Sequence, residues 1–338
     1  GSGFSLGAEN QLNEPFPTGN ELSKKMWDFI GYESDYELTP LPELFQAFVG
    51  AGIKDDVKNE FMNRTLLSSK IPKSYDLIQI PYWYKIYTTN VDDILSKTYN
   101  RNNKNIQELV FPYDQYSERD QSLDKTQIVY LNGKLPCKLD ELIFSNKQYT
   151  KALLAEEPLY AQFVYDYCSL PTIFLGTALN EPLFDKYLVS REARVGRKEF
   201  RLRSFLISPK ISEPKKEILE NEYNVFHIEG TTDDFLNWLN SIKDNLPDRE
   251  EILKKTFPDL MQIEEIASLL NINKNKLASF AKSFKRIPRG ITPKPERSGF
   301  LIGSSPRWND LFRNLDIPRT ITNHLYDLHF LQHLMVSN

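Results

Sequence analysis

Cysteine and histidine are scarce in this 338-residue chain, with two cysteines, Cys137 and Cys168, and four histidines. Without a CxxC pair, a cysteine-built structural zinc site is excluded. Two lone cysteines suit a reducing compartment, so the expectation is free thiols in a cytoplasmic protein, and the sequon Asn63-Arg64-Thr65 is then chance. No run approaches the roughly 18 apolar residues of a membrane span, so no membrane partner is expected. No signal peptide is visible. A Walker A sequence is also missing, which excludes a P-loop NTPase. Charge of one sign is lacking too. The 42 basic and 46 acidic residues leave a net charge of −4. Residues 248–338 hold 14 basic and 10 acidic side chains, which leaves an acidic body and a mildly basic tail. That distribution does not predict nucleic-acid binding. Eight basic residues between Lys274 and Arg297 face only Glu296; a solvated segment is preferred there over a phosphate-binding patch. There is no internal repeat and no low-complexity block.

What is present is enough to build a core. Hydrophobic residues make up 40% and charged residues 26%, with 21 Phe and 17 Tyr. The length suggests one large domain and something smaller. After an abrupt glycine-rich start, Glu21 to Ile30, Leu41 to Val49 and Asp55 to Leu67 read as helices, the last two separated by Gly50 and Gly52. These predict a helical cap over about residues 21–80. Strand-like segments follow at Tyr84 to Thr88, Gln127 to Leu131, Thr172 to Leu175, Arg203 to Ile207 and Asn224 to Ile228. Short buried strands alternating with helices predict an α/β fold, a doubly wound Rossmann-like parallel sheet. Beyond Leu246 the pattern changes. Arg249 to Lys255, Ile263 to Leu270, Lys274 to Phe284 and Ile321 to Met335 read as helices around a Pro/Gly/Arg segment. The expected division is therefore a domain over 1–247 and a mostly helical C-terminal extension, or linker to a further domain, over 248–338.

Ligands of doubly wound sheets bind at the carboxyl ends of the strands. Three polar or glycine segments fall there. Gly1-Ser2-Gly3-Phe4-Ser5 would let the backbone approach a pyrophosphate, although its spacing is not GxGxxG and an initial Gly-Ser is also what an expression tag leaves. Thr88-Thr89-Asn90-Val91-Asp92-Asp93 offers an amide able to hold a ribose hydroxyl or water; the alternative is a helix cap or Asx turn. Gly176-Thr177-Ala178-Leu179-Asn180-Glu181-Pro182 is otherwise an ordinary strand–turn–helix. His329 and His333 are four apart near the end of the chain, but no carboxylate completes a metal set, so an amphipathic helix is expected there and no metal. Trp83, between Tyr82 and Tyr84, reads as core rather than as a stacking platform.

Taken in order, the GSGFS, TTNVDD, LNG and FLGTALNEP segments resemble the sirtuin family, and more closely the sirtuin-like NAD-hydrolysing domains of bacterial anti-phage defence proteins. The likeness covers roughly residues 1–245. It implies that Gly1, Ser2, Gly3, Phe4 and Ser5 cover the NAD phosphates and ribose. Thr89, Gly133, Gly176, Thr177 and Asn180 are the remaining expected NAD contacts. Thr88, Asn90 and Asp92 match the family's Thr-x-Asn-x-Asp segment; Gly176, Thr177 and Leu179 match a second, with Ala178 in a serine place. Pro17-Thr18-Gly19, Phe144-Ser145 to Tyr149 and Phe226-His227-Ile228 also look like this branch. Asn90, Asp92 and Asn132 are the implied catalytic set, expected to converge on the nicotinamide ribose beneath the cap. Two departures matter. The four-cysteine zinc module of deacylase sirtuins is missing, which favours the hydrolase branch. In Leu131-Asn132-Gly133, Asn132 stands where the family has His. An amide cannot accept a proton at neutral pH as imidazole does. The resemblance thus implies NAD+ glycohydrolase activity in abortive-infection defence, impaired in this chain. It also implies a homo-oligomer with a downstream sensor domain or partner protein. A non-catalytic NAD or ADP-ribose-binding module and an NAD-dependent deacylase are the alternatives.

Overall fold

The computed structural model describes residues 1–114, 125–155, 157–195 and 201–247, together with the pairs 284–285 and 335–336. The chain divides into two compact units, Gly1–Asp120 with Lys125–Leu246, and Gln121–Asp124 with Pro247–Asn338. In chain order the helices are α1 (Gly19–Ile30), α2 (Leu41–Gly50), α3 (Asp55–Leu66), α4 (Ile94–Arg101), α5 (Asn146–Leu154), α6 (Pro158–Ser169), α7 (Pro182–Val195), α8 (Glu213–Ile218) and α9 (Thr232–Ile242). The strands are β1 (Glu9–Asn10), β2 (Ser68–Lys70), β3 (Ile86–Thr88), β4 (Ile106–Val110), β5 (Thr126–Tyr130), β6 (Ile173–Leu175), β7 (Ser204–Ser208) and β8 (Val225–Glu229). Two further two-residue strands, β9 (Phe284–Lys285) and β10 (Met335–Val336), pair antiparallel in the second unit. Phe284 and Met335 therefore lie in strands and do not end helices. The other C-terminal helices expected from the sequence, the basic segment, and His324, His329 and His333 lie outside the described residues.

The α/β architecture with parallel strands is as the sequence predicts, but the strands form two sheets rather than one. β5 pairs in parallel with β3 on one side and β4 on the other, and β7 lies likewise between β6 and β8. Both faces of each sheet are covered. Along β5, Ile128 and Tyr130 point into one core and Val129 and Leu131 into another. The same alternation puts Phe174 and Leu206 in the core of Val129 and Leu131, and Leu175 and Ile207 in that of Ile128 and Tyr130. That period of two with no solvent side explains why these strands read as continuous apolar runs. The α6 and α7 residues Tyr160, Val164, Leu183 and Phe184 fill one layer; the α4 and α9 residues Ile94, Leu95, Phe235 and Leu236 fill the other.

The edges β3 and β6 face each other across a groove of about 540 Å³ lined by Tyr87, Thr88, Ile173 and Phe174 among others. The described residues hold no strand between them. At its carboxyl end the groove is closed by backbone, where the Gly3 amide donates to Gly176 O at 2.9 Å.

Helices α1, α2 and α3 build a separate small core from Leu22, Met26, Phe45, Phe48 and Met62, which meets the main body at Val91, Leu135 and Leu142. The α1 start is set by Thr18, whose hydroxyl accepts from the Glu21 amide while the Glu21 carboxylate accepts from the Thr18 amide, a capping box. The two-residue ribbon of β1 with β2 ties together the chain entering and leaving this cap. The 3₁₀ turn Lys73–Gln79 packs not with the cap but with the α4 and α9 layer, through Tyr75 and Ile78. The helical cap thus ends near β2, short of residue 80.

Candidate functional site

The site lies where β3, β5 and β6 end. Past β3 the backbone turns through Thr89, Asn90 and Val91 into α4. Just before that helix, whose N-cap is Asp93, Asp92 Oδ1 accepts from the Ile94 amide at 3.1 Å in an Asx turn. Asn90 is not the cap. Its Nδ2 donates to Gly1 O at 3.0 Å and to the Ser5 hydroxyl at 2.9 Å. Ser5 in turn donates to Asp92 Oδ2 at 2.6 Å. Asn90, Ser5 and Asp92 therefore form one chain of hydrogen bonds that pins the N-terminal turn against the β3 end. Burial pushes the Asp92 carboxyl up from its ordinary range, opposed by the Ser5 and Ile94 donors.

Glycines at this junction serve close backbone contact. A Cβ on Gly176, whose φ is +61°, would lie 2.2 Å from Phe4 N, and one on Gly1 would lie 2.4 Å from Gly176 O. Gly133, at φ +93°, follows β5, and a Cβ there would press on Leu142 and on Glu141 O at 3.0 Å. Packing alone accounts for these positions.

Ser2, Ser5, Thr89, Asn90, Asp92 and Asn132 together line a cavity of about 210 Å³. Residues of the cap, among them Thr18, Leu22, Leu41 and Leu66, form its other wall. Gly1, Phe4 and Thr177 line the neighbouring groove, which shares Thr89, Asn90 and Glu181 with the cavity. Gly3, Gly133, Gly176 and Asn180 line neither. Asn180 turns outward, where Lys215 Nζ donates to its Oδ1 at 2.6 Å.

The residues that sequence reasoning missed surround Asn132. Asn132 is 4% exposed. Its Oδ1 accepts from the Tyr160 hydroxyl at 2.6 Å, which leaves its Nδ2 for the Glu181 carboxylate. Tyr149 donates to Glu181 Oε2 at 3.4 Å. Burial pushes the Glu181 carboxyl up to about 6, against the opposing pull of its polar neighbours, the Leu183 amide first. Burial also raises both tyrosine hydroxyls well above their ordinary value, so they stay protonated. Glu181 and Tyr149 both lie in segments already singled out by their resemblance, but nothing in either segment marks its acid or its phenol as part of the site. Trp83 is core-facing, its Nε1 donating to Ile78 O at 2.6 Å. Both cysteines are free thiols, and the described residues contain no cluster able to hold a metal ion. No helix among them is long and apolar enough to cross a membrane.

A search of curated proteins finds no match. A family model described as SIR2-like domain matches residues 85–228. The matched stretch begins at β3 and runs to β8, taking in Asn90, Asp92, Asn132, Gly176 and Glu181 but not the N-terminal turn or the cap. With its parallel α/β architecture and polar strand ends, this stretch of the chain is similar to a sirtuin-like domain.

Proposed function

We propose that the chain binds NAD+ in the cavity beneath the cap and hydrolyses it, slowly, to ADP-ribose and nicotinamide. The observation that carries this reading is the convergence of Ser5, Asn90, Asp92 and Asn132, from three separate segments, on one cavity inside a region similar to a SIR2-like domain. SIR2-like domains use NAD, so the similarity itself points to NAD-related activity. At about 210 Å³ the cavity is below the roughly 300–1,000 Å³ of a typical whole-ligand cleft. It suits one heterocycle with its sugar, the nicotinamide riboside end of the dinucleotide. Asn90, Asp92 and Asn132 are the proposed residues about that sugar. The N-terminal turn Gly1 to Ser5, with Thr89 and Thr177, are the proposed contacts for the rest of the molecule.

The motif resemblance supports a role as effector of a cytoplasmic anti-phage abortive-infection system. It acts there as a homo-oligomer with a downstream sensor domain or partner protein. Loss of NAD would halt the infected cell. A second reading, a regulatory module that holds NAD or ADP-ribose without turnover, is favoured by one observation. The Asn132 Oδ1 is already held by protein, accepting from the Tyr160 hydroxyl at 2.6 Å.

Nicotinamide release measured with and without an acyl-lysine peptide separates hydrolase, binding module and deacylase. The expected result is slow release that ignores the peptide, with NAD raising the melting temperature. Asn132→His should raise release on the order of 10²-fold, the worth of a positioned base. Release that requires the peptide would overturn the hydrolase reading.

A further inference from the structure

We propose that Glu181 is the proton-accepting group of this pocket, the carboxylate that serves where Asn132 has replaced an imidazole. The inference rests on the NAD-hydrolase reading above and names the base for that reaction. Water adds through its oxygen to C1′ of the nicotinamide ribose. The bond from C1′ to the ring nitrogen breaks, and its electron pair leaves with neutral nicotinamide. The attacking water must shed one proton, and Glu181 takes it as a carboxylic acid before returning it to solvent.

The argument is partly one of elimination. Three titratable side chains line the cavity: Asp92, Tyr149 and Glu181. Both Asp92 oxygens are committed, Oδ2 to the Ser5 hydroxyl at 2.6 Å and Oδ1 to the Ile94 amide at 3.1 Å. Protonating Asp92 would loosen the start of α4 and the N-terminal turn together. Tyr149 holds its proton far above neutral pH. Glu181 differs from both. It sits on the loop between β6 and α7 and lines both the cavity and the adjoining groove. Its hydrogen-bond partners, Tyr149 on α5 and the Leu183 amide of α7, are neutral, as are its neighbours Asn132 after β5 and Tyr160 on α6. The Tyr149 contact is long, at 3.4 Å, as is the one from Leu183, also 3.4 Å. Such loosely held oxygens leave acceptor capacity for a water molecule. With a carboxyl near 6, Glu181 is ionised at neutral pH yet basic enough to take a proton.

The test uses the full chain, as wild type, Glu181→Gln and Glu181→Asp. NAD binding is measured by calorimetry, and nicotinamide release is followed from pH 4.5 to 8.5. NAD should bind all three within about threefold of one another. Wild-type release should climb through an acidic limb near pH 6 and then level off. In Glu181→Gln release should fall on the order of 10²-fold and lose the limb. Glu181→Asp, which keeps a carboxylate one methylene further back, should keep partial release with its limb moved to lower pH; it covers the case in which Gln disturbs folding. Release from Glu181→Gln at the wild-type rate, or an unmoved limb in Glu181→Asp, overturns the role of Glu181 and leaves the NAD reading standing. So does a wild type that binds NAD and releases no nicotinamide at any pH. A wild type that does not bind NAD overturns the NAD reading and the Glu181 role with it.

Discussion

A carboxyl pushed up by burial costs the fold stability whenever it is ionised, and at Glu181 that cost can be measured without substrate. Its ordinary value of 4.5 rises to about 6 in the folded protein. Each unit corresponds to 1.36 kcal/mol, so ionised Glu181 opposes folding by about 2 kcal/mol at pH 7. The sign follows from proton counting. Between pH 4.5 and 6 the native state binds more protons than the unfolded chain, so stability falls as pH rises through that window. Below it both states are protonated and the cost vanishes; above about pH 6 it is fully present. Glu181→Gln deletes the titration. The difference in unfolding free energy between Glu181→Gln and wild type should therefore rise by about 2 kcal/mol from pH 4 to pH 7, in favour of the variant. Every other carboxylate is common to the two proteins and cancels. Glutamine also turns an amide toward the Asn132 amide, which lowers the whole difference curve by a constant and leaves its shape intact. Urea unfolding followed by tryptophan fluorescence at half-unit pH steps reads the curve. A flat difference would show that Glu181 titrates alike in folded and unfolded chains. A falling one would mean that its charged form is stabilised by the fold, and either refutes the reasoning.

Two further predictions concern the turn that closes the site. Ser5→Ala leaves the buried Asp92 Oδ2 without its donor and should cost about 1–3 kcal/mol at neutral pH. The loss should shrink as acid protonates Asp92; equal denaturation midpoints at pH 7 would show that the Asn90–Ser5–Asp92 chain holds nothing. Gly176→Ala places a Cβ 2.2 Å from Phe4 N at a left-handed φ and should lower stability by about 2–4 kcal/mol, displacing the N-terminal turn. An unchanged melting temperature would mean that the two loops are not in contact.

Five strands of the first unit were legible to within two residues because their apolar runs are short and end in polar residues, Gly or Pro. β4 was not. Its Ile-Gln-Glu-Leu-Val buries only Leu109, so an edge strand with polar residues in its middle carries little signal. The division into two sheets was also invisible, since periodicity tells which residues face a core and nothing about which strands are paired. Within the site, the segment after β3 read either as a ribose-holding amide or as a helix cap or Asx turn; the fold makes Asp93 the N-cap of α4 with Asp92 in an Asx turn before it, leaving Asn90 to bridge Gly1 and Ser5. Glu181 was hidden for a different reason. Residues 132, 149, 160 and 181 come from four segments, and what makes the carboxyl unusual is its burial among the other three. No local window contains that information.

The environment of Asn132 bears on what the exchange from His means. Oδ1 meets a hydroxyl donor, and Nδ2 faces a carboxylate acceptor. An imidazole at this position would find the same two partners: a ring N–H donates to Glu181, and the other nitrogen accepts from Tyr160. Asparagine thus preserves the hydrogen-bond pattern of an imidazole while removing its capacity to change charge near neutral pH. In such a site the carboxylate would orient and stabilise a histidinium, as an acid does beside a catalytic histidine. With the amide in place, the same carboxylate has no imidazole to hold and is itself the proposed proton acceptor, its contacts from Tyr149 and Leu183 both long at 3.4 Å. On the proposed reading, the proton-accepting position passes from 132 to 181, and the surrounding tyrosines stay where they are. Slow hydrolysis with an acidic limb near pH 6 follows from that shift; a pocket in which Asn132 alone faced the ribose would hold NAD and show no such limb.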